Sequence, residues 1–281
     1  MLQNHHRIGN FTSSEIFRLL GTNKREMTEA ELAARPKKGK GSSATLVEDN
    51  SVLSKDAMEY IAECNWERRL GRAIENETSA RQLSWGKICE KYVLEVLLGT
   101  EYVPCSTTTI VHPDYEWWSG SPDSKKYSPE FDTVADCKAP FTLKSFCQLV
   151  EPLLKGFMGI EAMEKIVSGH KDGKKFRAQL VSNACICNVP YAELIIFCPY
   201  REELEAIREL ARNIDDPMEQ RNYYWINMAG DDELPYLIKG NGYDHLNIVR
   251  FEVPESDKRT MTEKVKMAKD FLIEKEIKTQ I

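Results

Sequence analysis

The sequence predicts an α/β (or α+β) fold in which a central mixed β-sheet is flanked by helices. Two observations predict it. Segments with apolar residues at helical spacing alternate with shorter segments of β-type spacing, in the order helices, strand hairpin, helices, strand, helix, strand, helix. The chain has 281 residues, 42% of them hydrophobic, so it can bury the core of one large domain. We therefore expect a single domain over 1–281, with an insertion at 215–244, where the sequence is irregular and aromatic.

The N-terminal part is predicted to be mainly helical. In "FTSSEIFRLLG", Thr12 precedes Glu15 by three residues, as in a capping box, and Gly21 is a typical helix end. The segment 37–50 is rich in Lys, Gly and Ser, which predicts a loop. A helix is expected over 54–70 because apolar residues recur there and a glycine follows.

The next predicted helix, "SARQLSWGKICEKYVLEVLLG", places a carboxylate among apolar side chains. Leu83, Glu90, Leu94 and Leu97 fall on one side of a helix with 3.6 residues per turn. A buried acid costs free energy unless it is neutralised, hydrogen-bonded or bound to a metal. Glu90 therefore belongs to a functional site, or it lies at the edge of this stripe, or it pairs with a lysine such as Lys87.

The stretch "SGSPDSKKYSPEFDTVADCKAP" is predicted to form a strand hairpin. Residues 116–121 and 133–139 have β-type spacing, and the connection between them is rich in turn residues. The second half of the chain continues with helices over 143–155 and 174–189. It ends with a strand, a helix, a strand and a helix, in the segments "AELIIFCPY", "REELEAIRELARN", "HLNIVRFEVP" and "TMTEKVKMAKDFLIEKEIK".

The hairpin carries a constellation that suits phosphodiester hydrolysis. Because side chains alternate along a strand, Asp136 and Lys138 point to one face and Cys137 to the other. Pairing of the two strands would bring Asp123 to the same face, and two converging carboxylates favour a hard divalent cation. Lys138 could then hold an attacking water or an anionic oxygen. An ordinary Asp-rich turn before an alternating strand is the alternative.

Composition limits the class of protein. The net charge of −6 and the pI near 5.6 argue against a protein that coats nucleic acid nonspecifically, because such proteins carry a broad basic surface. An enzyme with a local basic lining remains compatible with these values. The candidates for that lining are Lys37, Lys38, Lys40, Lys125, Lys126, Lys171, Lys174, Lys175 and Arg177.

The cysteine spacing and the hydropathy indicate a cytosolic protein. The 8 cysteines form no C-x-x-C pair and several lie in apolar stretches, so we expect free, mostly buried thiols and no iron–sulfur cluster. The sequence contains no run of about 18 apolar residues and no apolar core of a secretory signal, so we expect no membrane span or export.

Several motifs in order resemble a known family. The run "SPDS…DCKAPFTLKSF", preceded by "SWGKICE" and followed by "FRAQLVSNACICNVPYAELIIFCPY", is similar to the lambda-exonuclease (YqaJ-type viral recombinase) branch of the PD-(D/E)xK nucleases. "FTSSE" near the start is similar as well, and the resemblance covers most of the chain outside 23–75 and 215–244. It implies a restriction-endonuclease-like PD-(D/E)xK core.

The resemblance implies a metal site. Asp123 and Asp136 match the acidic metal ligands, the backbone carbonyl of Cys137 matches a third ligand, and Glu90 matches the helix glutamate that completes the cluster. The cofactor would be Mg²⁺ or Mn²⁺, with two ions per site. The relatives more often have glutamate at the position of Asp136, which makes the ligand here one methylene shorter.

The resemblance also assigns roles around that site. Lys138 matches the lysine that positions the attacking water, and Gln179 matches a glutamine that orients the site from the following helix. Arg7, Ser14 and Ser121 lie at the positions that hold the terminal 5′ phosphate.

The implied activity is that of a metal-dependent deoxyribonuclease. It would be a 5′ to 3′ exonuclease that acts on double-stranded DNA ends in recombination, in the cytoplasm of a bacterial or phage-infected cell. The implied partners are a homotrimer of this chain and a single-strand annealing protein. The alternatives are an endonuclease or structure-specific nuclease with the same centre, and an inactive DNA-binding module. Tyr223, Tyr224 and Trp225 could stack on bases, although packing is the more common use of such residues.

Overall fold

The computed structural model describes residues 7–34, 46–49, 51–74, 80–105, 107–127 and 129–279. The strands are Phe11–Thr12 (β1), Asn23–Glu26 (β2), Leu46–Asp49 (β3), Tyr102–Pro104 (β4), Ile110–His112 (β5), Tyr115–Gly120 (β6), Ser124–Tyr127 (β7), Phe131–Lys138 (β8), Tyr191–Phe197 (β9) and Leu246–Glu252 (β10). The α-helices are Glu29–Ala34 (α1), Lys55–Leu70 (α2), Ala80–Tyr92 (α3), Leu143–Leu154 (α4), Gly159–Gly169 (α5), Gly173–Cys187 (α6), Leu204–Arg212 (α7), Pro217–Gln220 (α8), Tyr224–Met228 (α9) and Glu255–Thr279 (α10).

The central sheet is mixed. Its strand order is β10-β9-β8-β7-β4, with β8 and β9 parallel and the other neighbours antiparallel. The parallel pair requires a long crossover, and the chain makes it through α4, α5 and α6 between β8 and β9. The predicted fold class, a mixed sheet flanked by helices, is confirmed.

The predicted hairpin is wrong in its pairing. The strand β6 does not pair with β8; it belongs to a separate sheet in the order β1-β6-β5. The antiparallel partner of β8 is β7, which forms inside the segment that was expected to be a loop. β7 is short and polar, with the sequence "SKKY", so its local pattern is that of a turn, and only its pairing with β8 and β4 makes it a strand.

Side chains alternate between the two faces of β8 and β9, and each face packs into a different hydrophobic core. Val134 and Leu194 lie in one core, toward α4, α5, α6 and α10. Cys137 and Ile195 lie in the other, toward α3 and α7. Successive side chains on a strand point to opposite faces, so β8 contributes to both cores. Asp136 shares the face of Val134, which is the face covered by α6.

The observed helix boundaries agree in part with those predicted from the sequence. The helix α2 begins after Ser54, whose Oγ accepts a hydrogen bond from the Ala57 N–H at 3.1 Å, and it ends at Gly71 with a φ of 65°. The helix α3 continues into a π-helical turn over Val93–Leu97, within the predicted span. Both helices are therefore confirmed.

Three local predictions need correction. Only a 3₁₀ helix, Ile16–Leu20, forms in the first helical segment, because Thr12 pairs with Ser119 as the end of β1 and makes no side-chain cap. The described end of the predicted loop 37–50 is the strand β3, and its residues 37–45 and 50 lie outside the described residues. A further helix, α5, lies between the helices expected over 143–155 and 174–189, where the sequence analysis predicted none.

No helix in the described part of the chain is both long enough and apolar enough to cross a membrane.

We predict that the C-terminal end of α6 depends on a left-handed residue. Asn188 has a φ of 52°, its side chain is exposed, and its N–H bonds to the carbonyls of Ala184 and Cys185. Asn188→Ala should lower the free energy of unfolding by about 1 kcal/mol, because alanine lacks the short polar side chain that helps asparagine adopt this left-handed conformation. Asn188→Gly, the matched control, should leave it unchanged or raise it. Urea denaturation measures both, and equal values for the two variants would contradict the prediction.

Candidate active site

The site is built on the carboxyl end of β8 and the facing turn of α6. Asp136 is fully buried, and its Oδ2 lies 2.5 Å from Lys138 Nζ. Its Oδ1 accepts a hydrogen bond of 2.6 Å from Gln179 Nε2, and Lys138 Nζ donates to Gln179 Oε1 at 3.4 Å. These three side chains therefore form one hydrogen-bonded group, with Asp136 and Lys138 on the same face, as alternation along the strand predicted.

Asp123 joins this group from the neighbouring strand. It stands just before β7, where its N–H donates to the Ala135 carbonyl at 3.1 Å and its carbonyl accepts from Cys105 N–H at 2.9 Å. Its Oδ2 accepts a hydrogen bond of 2.6 Å from the backbone N–H of Cys137. The sequence prediction that Asp123 approaches this face is correct, but β7 brings it there and β6 does not.

The acids of this group repel one another. Burial raises the pKa of Asp123 well above its usual value, and the carboxylates of Asp136 and Glu90 raise it further. Burial alone would lower the pKa of Lys138, but the charges of Asp136 and Asp123 more than offset this effect, so the pKa ends above its usual value. Lys138 is therefore a firmly charged ammonium.

A cavity of about 730 Å³ opens beside this group. Among the predicted site residues, the structure brings six to its wall, namely Arg7, Ser14, Glu90, Ser121, Asp123 and Gln179. Asp136, Cys137 and Lys138 do not line it. Asp136 lies behind the wall and is hydrogen-bonded to Gln179, which lines the cavity. The Cys137 side chain packs in the core on the α3 side.

Glu90 reaches the cavity from α3, but the apolar residues buried beside it on this helix are not all those predicted from the sequence. Leu83 is 50% exposed, whereas Trp85, Ile88 and Cys89 are buried, so the apolar face of α3 is rotated from the expected one. Glu90 is half-buried at the border of this face, beside the cavity.

The basic residues at the cavity are not those expected from the sequence. Lys126 bonds to Glu193 at 2.9 Å, Lys175 to Glu15 at 2.9 Å and Arg177 to Asp257 at 2.7 Å, so these cations are paired elsewhere. Lys37, Lys38 and Lys40 lie outside the described residues. The basic side chains that line the cavity are Arg7, Lys87 and Lys91.

Sequence reasoning also missed the contribution of the segment 215–244, which was expected to be an insertion. Asp215, Asp216, Glu219 and Tyr223 line the cavity on the side of α3. The aromatic composition of 215–244 was the available signal, and Tyr223 is indeed buried.

The other two aromatic residues of that segment differ from each other. Trp225 donates a hydrogen bond of 2.8 Å to Ser84 and packs against Phe141, so packing is confirmed for it. Tyr224 is 65% exposed.

The donor set fits a hard divalent cation in its chemistry. Asp123, Asp136 and Glu90 are oxygen donors, and the charges of Asp136 and Glu90 disfavour the ionised form of Asp123, an effect that a cation would relieve. Lys138 and Gln179 contact the two carboxylate oxygens of Asp136. Within the described residues, no three His, Cys, Asp or Glu side chains stand together as a ready metal-binding group. A cation would therefore have to compete with the Lys138 ammonium for Asp136.

Comparison with known proteins identifies the fold. No family model matches the sequence, and no curated protein does. An alkaline exonuclease, LHK-Exo from Laribacter hongkongensis, is 14% identical, with a TM-score of 0.50 over 98% of this chain and 92% of that chain; its structure in complex with dAMP gives the same values. A phage-related exonuclease from Haemophilus somnus 129PT is 11% identical, with a TM-score of 0.54 over 98% of this chain and 99% of that chain.

The chain has the lambda-exonuclease fold. Both likenesses span nearly the whole length of each chain, so the likeness in fold is not confined to one part of the protein. The fold predicted from the motifs is thereby confirmed. In this lambda-exonuclease fold, β8 carries Asp136 and Lys138 and α6 carries Gln179.

We predict that Asp123 lowers the stability of the protein when no divalent cation is present. Because folding raises its pKa, its ionised form is less favourable in the folded than in the unfolded chain, where the pKa is about 3.9. Asp123→Asn should therefore raise the free energy of unfolding at pH 7. This gain should decline as the pH falls and vanish below about pH 4. Each unit by which folding raises the pKa corresponds to about 1.4 kcal/mol.

Urea denaturation in EDTA between pH 4 and 8 measures this effect. The matched control is Asp270→Asn, at an exposed position of α10, which should show no such gain. A loss of stability at pH 7 in Asp123→Asn would show that this carboxylate is stabilising, contrary to the prediction.

Proposed function

We propose that the chain is a nuclease that hydrolyses phosphodiester bonds of DNA, acting as a Mg²⁺- or Mn²⁺-dependent 5′ to 3′ exonuclease on double-stranded ends. One observation carries the proposal. In a chain with the lambda-exonuclease fold, Asp136 and Lys138 bond to Gln179, and Gln179 and Asp123 line the wall of a large cavity. An arrangement of acids and an ammonium beside an open cavity suits a reaction in which negative charge develops on phosphate.

The chain's own residues would divide the work as follows. Lys138, as a charged ammonium, holds and orients the attacking water or an anionic phosphate oxygen. Gln179 bonds to both Asp136 and Lys138 and so fixes their orientation. Asp123, Asp136, Glu90 and the carbonyl of Cys137 would hold the metal. When bound, a divalent metal supplies hydroxide near neutral pH and stabilises the charge on the transferred phosphate.

The proposed polarity rests on the same cavity. Arg7, Ser14 and Ser121 line it together with Asp123, so a terminal 5′ phosphate bound by the first three would place the strand beside the acids. Arg7 is exposed and Ser14 Oγ lies 3.3 Å from Thr12 Oγ1, which leaves both side chains able to contact an anion. The motif resemblance further leads us to propose a homotrimer, which light scattering tests, and a single-strand annealing partner.

The test of catalysis must separate chemistry from stability. Lys138→Met leaves the carboxylate of Asp136 buried without its partner, which should lower the free energy of unfolding by about 3 kcal/mol. The double variant Asp136→Asn/Lys138→Met has no unpaired charge, so its stability should return toward that of the wild type. Neither variant should cleave linear duplex DNA with Mg²⁺ at more than about a hundredth of the wild-type rate. Lys144→Met, at an exposed position of α4, is the control.

Each outcome of that assay distinguishes a function. Release of mononucleotides from duplex ends supports the exonuclease, and nicking of circular DNA supports the endonuclease alternative. Binding without cleavage by the wild type supports the DNA-binding module. Recovery of cleavage in the double variant together with its stability would assign a structural role to the pair and contradict its part in catalysis.

We predict that Arg7 determines the preference for phosphorylated ends. Arg7→Ala removes a charge that would bond to the 5′ phosphate, a contact worth about 1.5–3 kcal/mol, or 10- to 150-fold. The ratio of kcat/KM on 5′-phosphorylated and 5′-hydroxyl duplexes should fall by about that factor. Arg259→Ala, at an exposed position of α10, is the control and should keep the wild-type ratio. An unchanged ratio in Arg7→Ala would exclude Arg7 from this role.

A further inference from the structure

An aromatic ring lies against the proposed catalytic lysine. Lys138 Nζ is 5.4 Å from the centre of the Phe176 ring, a distance at which the face of an aromatic ring attracts a cation. Phe176 precedes Gln179 by three residues on α6, so the ring and the amide project from the same side of this helix. The helix α6 therefore contacts Lys138 twice, through a hydrogen bond and through a ring.

The ring of Phe176 is itself held by a buried histidine. His170 stacks on Phe176 with 5.5 Å between the ring centres and 25° between the ring planes. Both nitrogens of this imidazole are engaged, because the Asp172 N–H donates to Nδ1 at 3.1 Å and Nε2 lies 2.7 Å from Ser145 Oγ. These two bonds fix the plane of the imidazole, so Phe176 packs against a rigid neighbour.

The same bonds show that Ser145 and His170 are not a second reaction centre. Their separation is that of a nucleophile and its general base. However, burial lowers the pKa of His170 and so favours the neutral ring, and Nδ1 accepts the Asp172 N–H. The single proton of the neutral ring then lies on Nε2 and is donated to Ser145 Oγ. His170 cannot take the Ser145 proton in this arrangement, and the pair serves to orient the imidazole.

The ring restrains Lys138 in a way that its polar contacts do not. A lysine side chain has many rotamers, and the hydrogen bond from Lys138 to Gln179 is long, at 3.4 Å. An ammonium has three N–H groups, and the contacts with Asp136 and Gln179 engage two of them, which leaves one for a water or a phosphate oxygen. The face of Phe176 attracts the charge as a whole and needs no hydrogen bond of fixed direction. It can therefore hold the ammonium while the third N–H stays available.

We propose that Phe176 is a positioning residue for Lys138, whose ring face keeps the ammonium where it contacts the attacking water or the phosphate. This inference rests on the proposed function. It adds the requirement that position 176 carries an aromatic ring, for which an aliphatic side chain does not suffice. The requirement should affect the rate more than substrate binding, because Lys138 acts on charge that develops during the reaction.

The experiment compares Phe176→Leu with Phe176→Tyr in the full chain. On linear duplex DNA with Mg²⁺, the kcat of Phe176→Leu should fall about tenfold while KM changes by less than about twofold. Phe176→Tyr keeps a ring face and should keep the wild-type kcat. Phe157→Leu is the matched control, because Phe157 is also half-buried and Lys165 Nζ lies 5.0 Å from the centre of its ring. This control removes an equivalent contact elsewhere and should retain the wild-type kcat.

Nuclear magnetic resonance measures the contact itself, in EDTA and without DNA. In protein labelled with ¹³C at the lysine Cε atoms, the Lys138 resonance is the one that Lys138→Met lacks. The ring current of Phe176 should hold the Hε signal of Lys138 at higher field than that of an exposed lysine such as Lys144. Phe176→Leu should move the signal toward that of Lys144, and Phe176→Tyr should leave it in place.

Each of the two measurements can overturn the proposal. A wild-type kcat in Phe176→Leu overturns it, and so does a Lys138 resonance that this variant leaves in place. Equal losses of kcat in Phe176→Leu and Phe176→Tyr, together with a lowered urea midpoint of unfolding, would assign a structural role to the ring. Failure of the wild type to cleave DNA with Mg²⁺ refutes the proposed function instead, and the Lys138 resonance then still decides whether the ring holds the ammonium.

Discussion

The site depends on a carboxylate buried in the central sheet. Asp136 is inaccessible to solvent, and Lys138 and Gln179 offset part of the free-energy cost of removing its charge from water. Buried ion pairs seldom stabilise a fold more than apolar residues of the same size would. The position of Asp136 on the α6 face, where Val134 and Leu194 are apolar, is therefore better explained by chemistry than by stability.

Other costly polar groups gather at the same place. Asp123 is held close to Asp136 although burial and charge repulsion disfavour its ionised form. The amide of Asn183 is buried beneath the cavity without a partner among the described residues. Natural proteins usually keep polar groups that destabilise the fold only where function requires them. The coincidence of these departures around one cavity is a physical reason, independent of any likeness to other proteins, to regard that cavity as the functional site.

The sequence predicted the parts of the site that local rules govern. Alternation along β8 sufficed to place Asp136 and Lys138 together, and helical spacing correctly predicted α2 and α3. The pairing of β8 could not be predicted in this way, because β6, with one Tyr and two Trp residues, has a clear β pattern and β7 has almost none. Strand pairing is determined by contacts distant in sequence, and local propensity does not encode them.

The same distinction explains the first helical segment. The pattern of Thr12 and Glu15 satisfies a capping box, yet Thr12 is drawn into a parallel pairing with Ser119, a residue more than a hundred positions away. The pairing brings Ser13 and Ser14 to the cavity beside Gly120 and Ser121. A tertiary contact that overrides a helix cap thus creates part of the proposed phosphate site.

The lining of the cavity contains both basic and acidic side chains. The basic side chains that line it are outnumbered by acidic ones, which are Glu90, Glu95, Asp123, Asp215, Asp216 and Glu219. A DNA strand would bring further negative charge into this lining, and repulsion between like charges at short range opposes its entry. On the proposed function, divalent cations would therefore be needed to admit the strand as well as to cleave it. Asp215, Asp216 and Glu219 strengthen this requirement, because they line the cavity without taking part in the bonded group around Asp136.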